Sequence, residues 1–262
     1  MIPPRGRIVA HMTKTVLITG AGSGFGRLAS IALAERGHRV IATTESDEQA
    51  SSLSQEIPGV EVARLDITTK DVLKAADWDV DVLINNAGVG QTGPMADISL
   101  DRVRALFEVN VFGTLAITQV VLRKMVPRRS GRIIIMSSIA GVLSAPSFGP
   151  YSMTKFALEA MGKAMRAELA PLGIDVTLLN PGPFQTGFND RMAESMWEWF
   201  GDDALNASAT PMFRAIGEMV TGGQLDPVEV TQAIVGLTEA ETTEENNFVP
   251  TSMRDLVVPP VQ

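Results

Sequence analysis

The chain has 262 residues, 45% hydrophobic and 20% charged, enough for one large globular domain or two small ones. A net charge of −8 argues against a nucleic-acid partner. The absence of cysteine excludes disulfides and thiolate metal sites, and two histidines, His11 and His38, cannot build a His-rich zinc centre. No apolar run approaches the roughly 18 residues of a membrane helix, so a membrane partner is not expected.

Residues 1–14 carry Pro3, Pro4, Arg5 and Arg7 but no apolar signal core, and read as a flexible arm or an expression scar. Nothing marks secretion, so the expected location is cytoplasmic. Thr15 to Ile18 is a short β-branched run that predicts a buried strand. It leads into Gly20, Gly22, Ser23, Gly24, Phe25 and Gly26, then an amphipathic helix from Arg27 to Arg36 closed by Gly37. A glycine turn between strand and helix lets backbone approach a pyrophosphate at the helix N-terminus.

His38 to Thr43 predicts the second strand, closed by Thr44 and Glu45. Glu45 stands where an acid would bond an adenosine ribose, or else simply begins the next helix. Strand three is expected over Val60 to Leu65, ending at Asp66 and Ile67. Strand four, from Val82, ends in Asn85, Asn86, Ala87 and Gly88. Helix-length segments between the strands predict a parallel, doubly wound sheet of about seven strands, with helices on both faces. The glycine loop, Asp66 and Asn86 then gather at its carboxyl edge.

A long helix is predicted from Ser99 to Met125, stopping near Pro127, with the polar Asn110 among apolar neighbours. Such an amide has a partner if it is buried. Strand five, Arg132 to Met136, ends in Ser137 and Ser138. A Gly/Pro/Ser-rich connection then brings the chain to Tyr151, the only tyrosine, and Lys155, four residues on. That spacing puts both on one helix face. An adjacent ammonium lowers a phenol pKa from about 10, so the pair can move protons, although the same spacing also occurs on ordinary solvated helices. Strand six, Ile174 to Leu179, runs into Pro181 and Gly182. The segment 183–223 is long for a connection and holds Phe184, Phe188, Met192, Trp197 and Trp199. It reads as an apolar lid or as a subunit anchor. A helix over Pro227 to Ala240, a strand near Phe248 and a tail, 251–262, complete the chain, with 15–250 as a single domain.

Taken in order, these stretches resemble the short-chain dehydrogenase/reductase family. Its TGxxxGxG appears as Thr19 to Gly26, NNAG as Asn85 to Gly88 and YxxxK as Tyr151 and Lys155. PG is Pro181-Gly182, with Thr186 four residues on, and Asn110 and Ser138 match its mid-chain asparagine and serine. The resemblance implies an NAD(P)-binding Rossmann fold and hydride transfer between a secondary alcohol and a ketone or aldehyde on a fairly apolar small molecule. It gives Tyr151 as general acid/base, Lys155 on the nicotinamide ribose and depressing the tyrosine pKa, Ser138 on the substrate oxygen, and Asn110 positioning a relay water. No metal is implied, and a homodimer or homotetramer is. Ser23 is neutral where phosphate-preferring members often carry a base, and acidic Glu45 follows Thr44, which stands where NAD-preferring members often have Asp; this favours NAD over NADP, and Phe184, bulkier than the usual aliphatic residue, is expected to press on the nicotinamide. Reduction of a C=C or C=N bond, or a non-catalytic dinucleotide sensor, are the alternatives on the same scaffold.

Overall fold

The computed structural model describes residues 13–256. Nearly all of the N-terminal arm, with His11, and residues 257–262 of the tail lie outside the described residues. Seven strands form one parallel sheet in the order β3-β2-β1-β4-β5-β6-β7. They are β1 Thr15–Ile18, β2 Arg39–Thr44, β3 Glu61–Arg64, β4 Val82–Asn85, β5 Gly131–Met136, β6 Ile174–Pro181 and β7 Asn246–Val249. The helices are α1 Gly24–Glu35, α2 Asp47–Glu56, α3 Leu100–Phe107, α4 Thr114–Arg128, α5 Gly149–Leu169, α6 Phe188–Glu194, α7 Thr210–Gly222 and α8 Val228–Glu239. A 3-10 run, Lys70–Asp77, takes the place of an α-helix between β3 and β4.

The two faces follow from the period of two in a strand. Leu17, Ile41, Leu83, Ile133, Ile135 and Leu178 pack with Ile117, Val121, Met125 and Leu158 of α4 and α5. Val16, Ile18, Val40, Ile84, Ile134 and Leu179 point the other way, onto Ala29, Leu33, Val230 and Ile234 of α1 and α8. Each fully buried aliphatic side chain contributes about 2 kcal/mol of transfer free energy, offset by ordering. Helices on both faces leave only the strand ends free for a ligand. Because β1 pairs with β2 on one side and β4 on the other, the connections part between β1 and β4 and open a crevice there.

The predicted 99–125 helix is interrupted. Glu108–Gly113 widens into a π-turn between α3 and α4, with Asn110 inside it. The run Leu100–Arg128 is also long and apolar enough, by length and composition alone, to cross a membrane, which the sequence reading did not anticipate. Here its apolar residues Ile117, Val121 and Met125 cover the sheet. Pro127 falls in its last turn, and the helix ends one residue later, at Arg128, before left-handed Arg129.

The 183–223 segment leaves and rejoins the domain at one point. Phe184 and Leu225 form a parallel bridge, with Gln185 N–H donating to Leu225 O and Leu225 N–H to Pro183 O, each at 2.9 Å. Between them α6 and α7 stand over the carboxyl edge. The excursion is docked by Thr92 Oγ1 on Met192 O (2.8 Å), and by Leu205 N–H and Asn206 on the Asp97 carboxylate.

Candidate active site

A cleft of about 810 Å³ runs along the carboxyl edge. One end is the glycine loop. Gly20 and Gly24 have φ of +64° and +54°, conformations that L side chains rarely adopt. A Cβ on Gly20 would fall 2.7 Å from Ala87 Cα, so loop and β4 end meet backbone to backbone. Asn86 staples them, its Nδ2 donating to Thr19 O and Gly20 O at 3.0 and 2.9 Å. Thr19 Oγ1 accepts from the Asn86 and Ala87 N–H groups.

The loop delivers the chain into the first turn of α1, which contains no acidic residue. Ser23 caps that helix without spending its hydroxyl on it. An uncompensated N-terminus, with glycines in front, suits an anionic pyrophosphate. Gly20, Ser23, Gly24, Phe25, Glu45, Asp66, Ile67, Asn86, Ala87, Gly88, Pro181, Gly182, Phe184 and Thr186 all line the cleft. These residues fit a dinucleotide.

Two expected cofactor residues do not line it. Thr44 is fully buried and donates its hydroxyl to Ser46 O. Gly26 is a packing glycine: a Cβ there would meet Asn86 Nδ2 at 2.5 Å and Gly20 O at 2.6 Å. Gln49, Thr68, Val89, Arg191 and Ser195 line the cleft as well, beyond the residues expected from the motifs. Only Thr68 carried a signal, as the residue two beyond Asp66, whose carboxylate accepts from Thr68 N–H and Oγ1 in an Asx turn.

Ser138, Tyr151 and Lys155 meet in the middle of the cleft. Ser138 lies two residues beyond β5, and its hydroxyl accepts from Ala140 N–H at 3.1 Å, turning the chain away from the sheet. Tyr151 and Lys155 lie on the first two turns of α5, each 6% exposed. Lys155 Nζ donates to Met136 O (2.8 Å) and lies 5.6 Å from the centre of the Tyr151 ring. Burial lowers the Lys155 pKa to about 8, against the raising effect of Glu159.

The phenol does not behave as expected from the sequence. Burial pushes the Tyr151 pKa up, and a hydrogen bond with Ser138 opposes this only in part. The ammonium is committed to the Met136 carbonyl, so desolvation dominates and Tyr151 stays a neutral phenol. Asn110 also departs from its expected place. It is 1% exposed and sits just behind the cleft wall, not among the residues that line it. Its Oδ1 accepts from Val89 N–H (2.8 Å), while Nδ2 donates to Val89 O (2.9 Å) and Thr154 Oγ1 (3.1 Å). Both amide hydrogens are therefore spent on protein. Thr154 Oγ1 in turn donates to Tyr151 O (2.8 Å), so Asn110 braces the cleft wall at Val89 against the first turn of α5.

Beyond Tyr151 the wall is apolar. Phe188 lies 5.8 Å from the Tyr151 ring, and Met192 packs in the same cluster. Trp197 and Trp199 are not here. With Met196, Phe200 and Phe213 they form a separate small core, and Arg214 stacks 4.2 Å from the Trp197 ring. Phe184 is 1% exposed and is pinned edge-on by Phe25 at 5.8 Å.

Residues 14–197 match the family model described as short chain dehydrogenase. The chain is 37% identical over 183 residues to a 3-ketodihydrosphingosine reductase of Bacteroides thetaiotaomicron, covering 67% of this chain and 66% of that one. It is 30% identical over 252 residues to human retinol dehydrogenase 8, covering 87% and 79%. Among solved structures, a short-chain dehydrogenase from Streptomyces avermitilis superposes with a TM-score of 0.81 at 32% identity, covering 95% and 92%. An actinorhodin polyketide ketoreductase with NADPH gives 0.75 at 27%, covering 90% and 95%. With the family model spanning most of the sheet and the same fold recurring in these relatives, the chain belongs to the short-chain dehydrogenase/reductase family of oxidoreductases.

Proposed function

We propose that the protein is an NAD(P)-dependent oxidoreductase interconverting an alcohol and its ketone or aldehyde on a fairly apolar small molecule, with Tyr151 as general acid/base. The observation that carries this reading is the convergence of Ser138, Tyr151 and Lys155 on one cleft that ends in the glycine loop. A nicotinamide dinucleotide held along the glycine loop and the β4 end would supply or accept the hydride. The chain's residues handle the proton. In reduction, the Tyr151 hydroxyl gives its proton to the carbonyl oxygen as that oxygen becomes an alcohol, and the Lys155 ammonium offsets the charge left on the phenolate. Ser138 donates to the same substrate oxygen and orients it. Oxidation runs these transfers in reverse. Asn110 acts by bracing Val89 and, through Thr154, the first turn of α5.

The apolar substrate class is supported by Phe188 and Met192 beside the tyrosine, and by relatives named for retinol and 3-ketodihydrosphingosine. NAD is favoured because the Glu45 carboxylate suits ribose hydroxyls and repels a 2′-phosphate. NADP is the second reading. Arg64 Nε donates to the Glu45 carbonyl at 3.3 Å, which puts a guanidinium at the same corner, and the ketoreductase neighbour holds NADPH. The test is a panel of secondary alcohols and ketones, read by nicotinamide absorbance with both dinucleotides. Turnover of apolar members is expected, and no turnover with either dinucleotide overturns the reading.

A further inference from the structure

One buried carboxylate stands behind the site and outside the cleft. Glu159 lies one turn beyond Lys155 on the same face of α5, and is 4% exposed. Carboxylates are almost never this deeply buried without partners. Glu159 has three close donors from three other segments. Ser137 Oγ and Asn180 Nδ2 donate to Oε1 at 2.5 and 2.6 Å, and Asn246 Nδ2 donates to Oε2 at 2.7 Å. Asn246 also donates to Asn180 Oδ1 at 3.1 Å, which closes the ring. Gly141 seals it from above, since a Cβ there would meet Ser137 Oγ at 2.7 Å and Glu159 Cγ at 3.1 Å.

Among the described residues, two charged groups neighbour this carboxylate. Lys163 approaches Oε2 at 3.8 Å from the exposed side and also reaches Glu245, at 4.0 Å. Lys155 sits one turn earlier on the same face of α5, and its buried ammonium donates to Met136 O, the residue next to Ser137. The strands contribute only the neutral Ser137, Asn180 and Asn246.

We propose that Glu159 is a positioning residue: the buried counter-charge that keeps Lys155 protonated and aligned beneath Tyr151, itself held in place by β6 and β7. The functional importance of this rests on the role given to Lys155 above. The physics is a balance of two terms. Burial disfavours the ammonium, and a fixed negative charge one turn away restores it. The carboxylate is therefore expected to set the ionisation of Lys155, beyond joining α5 to the sheet.

The test is a pH titration of the full chain labelled with [ε-13C]lysine, with the Lys155 signal assigned by its loss in Lys155→Met. Glu159→Gln is expected to lower the Lys155 midpoint so that the ammonium is about tenfold less populated at a given alkaline pH. An unmoved midpoint overturns the proposal. Should Glu159→Gln fail to fold, Glu159→Asp decides on the same signal: the charge drawn back by one methylene gives a smaller downward shift, and no shift overturns the proposal. In turnover, the alkaline fall of kcat/KM for ketone reduction is expected to move to lower pH in Glu159→Gln, with activity restored in mildly acid buffer. A loss equal at every pH assigns Glu159 a structural role only and overturns the proposal. If wild-type protein shows no turnover with either dinucleotide, the functional reading falls, and the lysine titration still decides this one.

Discussion

The chemistry of the site is set by two buried side chains that burial moves in opposite directions. Tyr151 is held as a neutral phenol and Lys155 is brought down to about 8. In the free site the tyrosine is therefore ready to give a proton, and the lysine is the group that titrates near neutrality. Tyr151→Phe is expected to cut kcat on the order of a thousandfold while dinucleotide Kd stays within about twofold; near-normal kcat would remove the phenol from the reaction. For pH the sign follows from the amine. Lys155 is charged below about 8, so kcat/KM for ketone reduction falls as pH rises through that value. A flat alkaline profile, with chemistry shown to limit the rate, contradicts this. Stability moves the other way. The folded pKa of Lys155 lies below the unfolded value, so between them the unfolded chain binds more protons and stability rises with pH. Lys14, lowered chiefly by burial, acts in the same direction. At the other end of the cleft, Glu45→Gln is expected to shift the NADP-to-NAD preference about tenfold toward NADP by removing one charge beside the ribose; an unchanged ratio of Kd values would place selectivity elsewhere, with Arg64 the next residue to test.

At the scale of elements, what was legible in the sequence is what local periodicity and turn chemistry encode. The strand cores, the glycine turn at Gly20 and the i, i+4 pair at Tyr151 and Lys155 all lie within one or two turns of chain. What was not legible depends on partners far away in sequence. The π-turn at Asn110 exists where a Cβ on Gly113 would come within 2.8 Å of Ile67 and where the Asn110 amide reaches Val89; neither contact leaves a local pattern. The orientation of Thr44 depends on which face of β2 the sheet covers. The aromatic content of 183–223 suggested one apolar lid, but the excursion divides its labour. Phe188 and Met192 line the cleft, while Trp197, Trp199, Phe200 and Phe213 make a core of their own. We therefore expect Phe188→Ala to raise KM for a bulky apolar ketone about tenfold, with little change for a small polar one. Trp197→Ala and Trp199→Ala are expected to leave KM nearly unchanged. Each costs about 2 kcal/mol of packing, less than a fully buried tryptophan, and lowers Tm by about 5 °C. If the tryptophan variants alter KM selectively and Phe188→Ala does not, the lid reading is reversed.

Across the whole molecule, one group of uncovered apolar side chains lies on the helices next to the site. Phe112 in the π-turn is exposed, as are Met153 and Phe156 on α5 and Leu100 at the start of α3. Met153 and Phe156 are three residues apart and share a helix face, and α5 packs directly against the π-turn. Large apolar side chains gathered on neighbouring helices are the usual mark of a protein contact. A surface made of the π-turn and α5 can meet a copy of itself across a twofold axis, because the same patch then serves both partners. We infer a homodimer, or a tetramer built from such dimers, with this face inside. A stable contact needs about 800 Å² from each partner. The arrangement matters for the site, since the exposed residues flank Tyr151 and Lys155 in the same helix and Asn110 in the same π-turn. Light scattering at micromolar concentration is expected to give at least twice the chain mass. Phe112→Glu with Phe156→Glu is expected to give monomers that keep dinucleotide affinity within about threefold but lose most of kcat, because the first turns of α5 lose their outer support. A wild-type protein that is monomeric at that concentration rules the interface out, and monomers with full kcat would show that the active site is complete within one chain.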